Sequence, residues 1–170
     1  MLDRIIRPID TVQEWFGFLV AFLIWPMLFI TVWEVFMRYA FNSPTTWGFE
    51  ATTFTYGLHF VLGLGYTYLY DGHVRVSVFV NLLKPRKQAA ISLACHLVIF
   101  LPVYIMLTYG LSDYALNSIR QLEHSWTAWA PPIYPFKALM ALGFFMLLVQ
   151  GISATCKDIR TLMRGEEEAL

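Results

Sequence analysis

Long apolar stretches alternate with short polar connections along the whole chain. Four stretches approach the roughly twenty apolar residues that a membrane helix needs. They fall at residues 15–33, 51–70, 89–109 and 134–154. The pattern predicts an all-α integral membrane protein with four transmembrane helices in a single membrane domain, residues 1–170. The second span is the weakest, because Thr52, Thr53, Thr55 and His59 interrupt it. Pro26 lies inside the first span, where it removes a backbone donor and kinks the helix. A neighbouring helix has to satisfy the carbonyl so freed.

The connections carry structure of their own. Asp71-Gly72 is a turn signal, and residues 74–83 mix apolar side chains with Arg75, Ser77 and Asn81. We read that segment as a short interfacial helix between spans two and three. Pro85 then fits the opening turn of span three. Span three does not stop at the membrane. Leu111, Ala115, Ile119 and Leu122 continue at helical spacing beyond Tyr109. A helix over residues 85–123 is roughly 55–60 Å long at 1.5 Å per residue. The hydrocarbon core is only about 30 Å thick, so this long third helix tilts, protrudes or breaks. The following "SWTAWAPPIYP" is a proline-stopped turn.

Basic residues orient the chain. Arg4 and Arg7 precede span one, Arg75, Lys84, Arg86 and Lys87 lie between spans two and three, and Lys157, Arg160 and Arg164 follow span four. With four spans these segments share one side, leaving Arg38, Arg120 and Lys137 on the other. Both termini are expected in the cytoplasm. Trp15 begins an apolar run of full span length with no small-residue cleavage site after it, so it reads as an uncleaved first span rather than a signal peptide.

Composition agrees: 58% of residues are hydrophobic, 17% aromatic and 14% charged. The two cysteines, Cys95 and Cys156, have neither metal-ligand spacing nor a disulfide pattern and read as small packing residues. The chain should bind no cofactor itself. No basic aromatic patch or phosphate-cradling loop is present, so nucleic acid is excluded as a partner. Arg75, Lys84, Arg86 and Lys87 are expected to meet anionic phospholipid headgroups at the inner surface.

Three groups hold the candidate chemistry. Glu34 and Arg38 are four apart on one helical face, and Glu50 opens span two. Charges at membrane depth mark function or a structural ion pair. We expect Arg38 to bind Glu34 or Glu50 in a structural ion pair that ties spans one and two together. Trp47, Trp126, Trp129 and Tyr134 have the character of interface anchors. His59 and His96 form the rival reading, two ligands for a b-type haem in a cytochrome or quinone-linked anchor. By helix rise they sit about 16 Å and 10 Å from the inner ends of their spans, an offset that favours packing histidines. Gly143 and Gly151 share a face of span four, and Thr53 and Gly57 lie four apart; both pairs permit close helix approach.

The stretches "VFMRYAFNSPTTWGFE", "GLGYTYLYDGHVRV" and "WAPPIYPFKALMALGFFMLLVQGI" carry a wider resemblance. In that order, over nearly the whole chain, they resemble the small permease subunit (DctQ type) of tripartite ATP-independent periplasmic (TRAP) transporters. Arg38-Tyr39 closing span one, Trp47 and Glu50 opening span two, and residues 72–76 after it match the family pattern. Ser77 departs from it, since the family often places an acidic residue there. The resemblance implies a non-enzymatic scaffold beside a large elevator-type membrane subunit that uses sodium ions. It also implies a periplasmic substrate-binding protein that delivers an organic acid.

Overall fold

The computed structural model describes residues 2–72, 83 and 85–167. Every regular element among them is helical: α1 Asp3–Ala21, α2 Ile24–Ala40, α3 Gly48–Leu69, α4 Pro85–Cys95, a π-helical turn His96–Phe100, α5 Leu101–Arg120 and α6 Tyr134–Glu167. The only pairing of extended backbone among the described residues is an isolated bridge, His124 to Pro132. The interfacial helix expected over residues 74–83 falls almost wholly outside the described residues.

The expected kink in the first span is a break between α1 and α2. Pro26 cannot donate to the Phe22 carbonyl, and its ring crowds that carbonyl. The chain tightens there instead, with Phe22 N–H bonding Leu19 O at 3.2 Å and Leu23 N–H bonding Val20 O at 3.0 Å. His59, on α3, reaches across so that its Nδ1 lies 3.1 Å from the same Val20 carbonyl. The histidine is therefore part of the splice around the break.

The long third helix does not break; it widens at a single π turn, His96–Phe100. Pro102 lacks the N–H that would continue the α ladder. The ladder widens before it, and the Leu101 N–H bonds the His96 carbonyl five residues back. From Pro85 to Arg120 the element otherwise runs continuously. Three helix ends close alike, with a left-handed residue and a backbone bond spanning the last turn. Asn42 (φ 49°), Asp71 (φ 54°) and Leu122 (φ 48°) take that conformation. Ser43 N–H bonds Met37 O at 3.1 Å, Gly72 N–H bonds Thr67 O at 2.8 Å, and Glu123 N–H bonds Ser118 O at 3.1 Å. Asn and Asp tolerate that region, whereas Leu122 is held there by the closure itself.

Helix α6 is the axis of the bundle. It packs along α3 and α5 and against α1 and α4, and α2 leans on α3. The interior is thin: Leu147 is 2% exposed, and Ile6, Val20, Leu62 and Ala115 are also buried. The outside is far more apolar than a water-facing surface. Trp15, Phe18, Phe22, Trp25, Phe29 and Trp33 all project from α1 and α2. Among the described residues, three helices are long and apolar enough to cross a membrane: Asp3–Ala40, Lys87–Arg120 and Tyr134–Met163. Helix α3, with its threonines and His59, is not among them.

Candidate assembly site

At one end of the bundle the chain turns from α2 into α3 through residues 41–47, and Glu34 closes this corner. Its Oε1 accepts from Arg38 Nη2 at 2.8 Å, and its Oε2 accepts from the Thr45 N–H at 3.1 Å and from the Thr45 hydroxyl. Thr45 Oγ1 in turn accepts from the Gly48 N–H at 3.1 Å, capping the start of α3. A Cβ on Gly48 would meet Thr45 Oγ1 at 2.5 Å and Glu34 Oε2 at 2.7 Å, so only glycine leaves room for the carboxylate. The Glu34 side chain is 12% exposed and that of Arg38 is 54% exposed. The acid is thus the buried, saturated partner and the guanidinium faces outward.

Glu50 lies elsewhere than expected. Its carboxylate does not join the Arg38 pair; it accepts from Ser125 Oγ at 2.7 Å and from Thr127 Oγ1 at 2.6 Å. The reason is geometric. Thr45 and Gly48 fold over Glu34, while Glu50, one residue pair further along α3, faces the connection between α5 and α6. That connection is a braced hairpin. Ser125 N–H bonds Pro131 O at 2.8 Å and Ile133 N–H bonds Glu123 O at 3.0 Å. Trp129 packs on Trp47 with ring centroids 6.4 Å apart. Trp47 is half-buried by this contact, and Tyr134, the first residue of α6, is also half-buried. Trp126 alone stands fully clear, at 97% exposure.

The same hairpin is fastened to α6 by charge. Lys137 Nζ donates to Glu123 Oε2 at 2.5 Å and sits 3.9 Å over the Tyr114 ring. The Lys137 ammonium holds the Glu123 carboxyl below the usual carboxylate range. Replacing Glu50 by alanine removes the acceptor for two hydroxyls. Charge-assisted bonds of this kind are worth about 1.5–3 kcal/mol each when buried, less at this part-exposed site. The expected result is a loosened hairpin, read as faster amide hydrogen exchange at residues 123–130 while α6 stays protected.

At the opposite end, which holds both termini, α1 is fastened to α6. Asp10 accepts from Ser153 Oγ at 2.7 Å, Gln150 Nε2 at 3.1 Å and Lys157 Nζ at 2.7 Å, and Arg160 bonds Asp3 at 2.6 Å. Tyr70 donates to Glu14 at 2.9 Å, tying α3 to α1. Sequence reading treated Lys157 and Arg160 only as cytoplasmic charge. The signal was Asp3 and Asp10, seven apart on α1 and therefore on one face. Of the basic residues assigned to headgroups, Arg75, Lys84 and the Arg86 side chain lie outside the described residues, and Lys87 is exposed.

His96 is also engaged at this end. Its Nδ1 is 2.8 Å from Asp158 on α6, and its Nε2 is 2.5 Å from the Tyr68 hydroxyl on α3. Both ring nitrogens are taken, so neither is open to iron. His59 lies at the α1–α2 break instead. These contacts give the haem reading no support: the two histidines join different pairs of helices, His59 to the α1–α2 break and His96 to α3 and α6.

These features describe a helical bundle braced at both ends, with its wide apolar face uncovered. The sequence matches the family model described as tripartite ATP-independent periplasmic transporters, DctQ component, over residues 27–161. It is also 28% identical over 125 residues to the C4-dicarboxylate TRAP transporter small permease protein DctQ of Vibrio cholerae serotype O1. That alignment covers 72% of this chain and 45% of the relative, so the chain spans less than half of the relative's length. On the match over residues 27–161, the chain belongs to the DctQ component family of the tripartite ATP-independent periplasmic transporters.

Proposed function

We propose that this chain is the small membrane subunit of a TRAP transporter that imports an organic acid across a bacterial cytoplasmic membrane. It supplies a fixed, non-enzymatic scaffold for a large elevator-type subunit and helps to dock a periplasmic substrate-binding protein. Sodium ions drive the transport through the partner subunit, not through this chain. All four long hydrophobic elements span the bilayer, with both termini cytoplasmic. At 22 residues, α3 is about 33 Å long, enough to cross. It is the least apolar of the four because α1, α2 and α6 shield it on several sides. The relative's name makes a C4-dicarboxylate the first substrate to test.

The family match over residues 27–161 carries this reading. The geometry supports a scaffold role. The polar side chains recorded here act as struts between helices: Glu34 to Thr45, Glu50 to Ser125, His96 to Asp158, Asp10 to Ser153. A transport path needs polar groups open to a moving solute, whereas these are engaged with each other.

The test is co-expression with the large subunit and the binding protein, followed by sodium-driven uptake of labelled dicarboxylate in proteoliposomes. Uptake is expected from the full set and not from this chain by itself. Glu34→Ala frees the corner from both Arg38 and Thr45, and recovery of the assembled complex is expected to fall several-fold. Full uptake without this chain, or unchanged assembly of the Glu34→Ala complex, would sink the scaffold reading.

A further inference from the structure

Between the Arg38 ends of α2 and α3 lies a groove of about 230 Å³ that the corner brace does not fill. Arg38 and Glu34 line its polar end, and Val35, Tyr39 and Phe49 form its walls. Its hydrogen-bonding capacity is one-sided. Thr31 and Thr52, which also border it, donate to their own helices at Met27 O and Gly48 O, both at 2.8 Å. Both oxygens of Glu34 already accept from Arg38 and Thr45. Of the Arg38 nitrogens, Nη2 bonds Glu34, and about half of the side chain is exposed. A guanidinium carries five N–H donors. The groove therefore offers the outward N–H donors of Arg38, held in place by the Glu34 carboxylate that balances its charge, beside apolar walls. Tyr39 is 82% exposed and Phe49 79% exposed.

We propose that this groove is a phospholipid site, in which Arg38 binds the headgroup phosphate and the walls formed by Val35, Tyr39 and Phe49 receive the start of an acyl chain. A ligand complementary to it accepts hydrogen bonds from the guanidinium and has an apolar portion. A phosphodiester with a glyceryl tail meets both conditions, and guanidinium matches phosphate through paired N–H donors. Size points the same way. The groove, about 230 Å³, has room for a headgroup. Arg38 also lies at the end of the apolar face of α2, where Phe36 and Phe41 pack edge to face at 5.4 Å and mark the boundary of that face. The site rests on the membrane placement of α2 and α3 and is independent of the transporter role.

The experiment uses the full chain in nanodiscs of phosphatidylethanolamine and phosphatidylglycerol in equal amounts, moved into detergent and weighed by native mass spectrometry. One retained phospholipid is expected on the natural chain. Arg38→Gln should lower the retained fraction about tenfold, the size of one lost charge-assisted bond. Thr31→Trp keeps Arg38 and Glu34 and fills the groove, so it should displace the lipid even if Arg38→Gln weakens folding. A photoreactive group at Tyr39 in native membranes should then capture phospholipid. Equal retention by both variants would overturn the proposal. So would equal competition by diacylglycerol, which has no phosphate. Capture of a protein at Tyr39 would overturn it in favour of a protein carboxylate on Arg38. Because lipid is read on this chain by itself, failure of the transport tests leaves the result standing.

Discussion

Replacing Asp10 by alanine is expected to destabilise the folded chain by about 2–4 kcal/mol. Asp10 takes three donors from α6: Ser153 Oγ, Gln150 Nε2 and Lys157 Nζ. Ser153 is 0% exposed and Gln150 is 1% exposed, so neither can turn to water when the carboxylate goes. Each buried donor left without a partner costs about 1–3 kcal/mol. The ion pair itself contributes less, since the Lys157 side chain is 41% exposed and solvent screens it. The cost therefore lies in the orphaned donors. Lys157→Met should be mild, under about 1 kcal/mol, because Ser153 and Gln150 keep their acceptor. Unfolding in mixed micelles with rising anionic detergent, followed by tryptophan fluorescence, measures both. If Asp10→Ala costs no more than Lys157→Met, the buried hydroxyl and amide are not what joins α1 to α6.

That joint shows where sequence reading reaches its limit. Hydropathy finds four apolar stretches, and helices do occupy those stretches. The helices run on past them. Helix α1 begins at Asp3 rather than near residue 15, and α6 runs to Glu167. The extra turns are polar, and they are stable because Asp3, Asp10, Arg160 and Lys157 meet across two elements nearly the whole chain apart. A window of composition cannot see such a pair. The break at Pro26 was readable because proline acts locally, and the wide turn before Pro102 was equally available from the same rule. The Glu34–Arg38 spacing was legible as a helical i,i+4 pair, whereas the partners of Glu50, Ser125 and Thr127, were not. They lie 75 and 77 residues away, in a loop whose fold depends on its own backbone bonds. The contacts of His59 and His96, to the Val20 carbonyl and to Asp158 and Tyr68, were equally out of reach of a composition window.

Glycines in these spans give the second large effect, and they divide into two kinds. Gly143 lies where α6 crosses α3. A Cβ placed there would sit 2.8 Å from the Val61 carbonyl oxygen and 2.8 Å from its Cγ1. The obstacle includes backbone, which cannot rotate away, so the helices must part along their crossing. Overpacking of this kind costs about 1–3 kcal/mol. The gain in helix propensity from glycine to alanine, about 1 kcal/mol, offsets part of it. Gly143→Ala should thus be destabilising by up to about 2 kcal/mol, and Gly143→Leu should prevent the α3–α6 contact. Gly63 is two residues from Val61 on α3, and a Cβ there meets nothing within 4 Å. Gly63→Ala keeps the propensity gain without the clash and should stabilise by about 0.5–1 kcal/mol. The same chemical change then has opposite signs at a tight helix crossing and on an open face of α3. Parallel unfolding curves of the two variants decide it. Two destabilised variants would mean that the small-residue stripe as a whole sets the packing; two stabilised ones would mean that α3 and α6 do not cross as closely as the Val61 carbonyl requires.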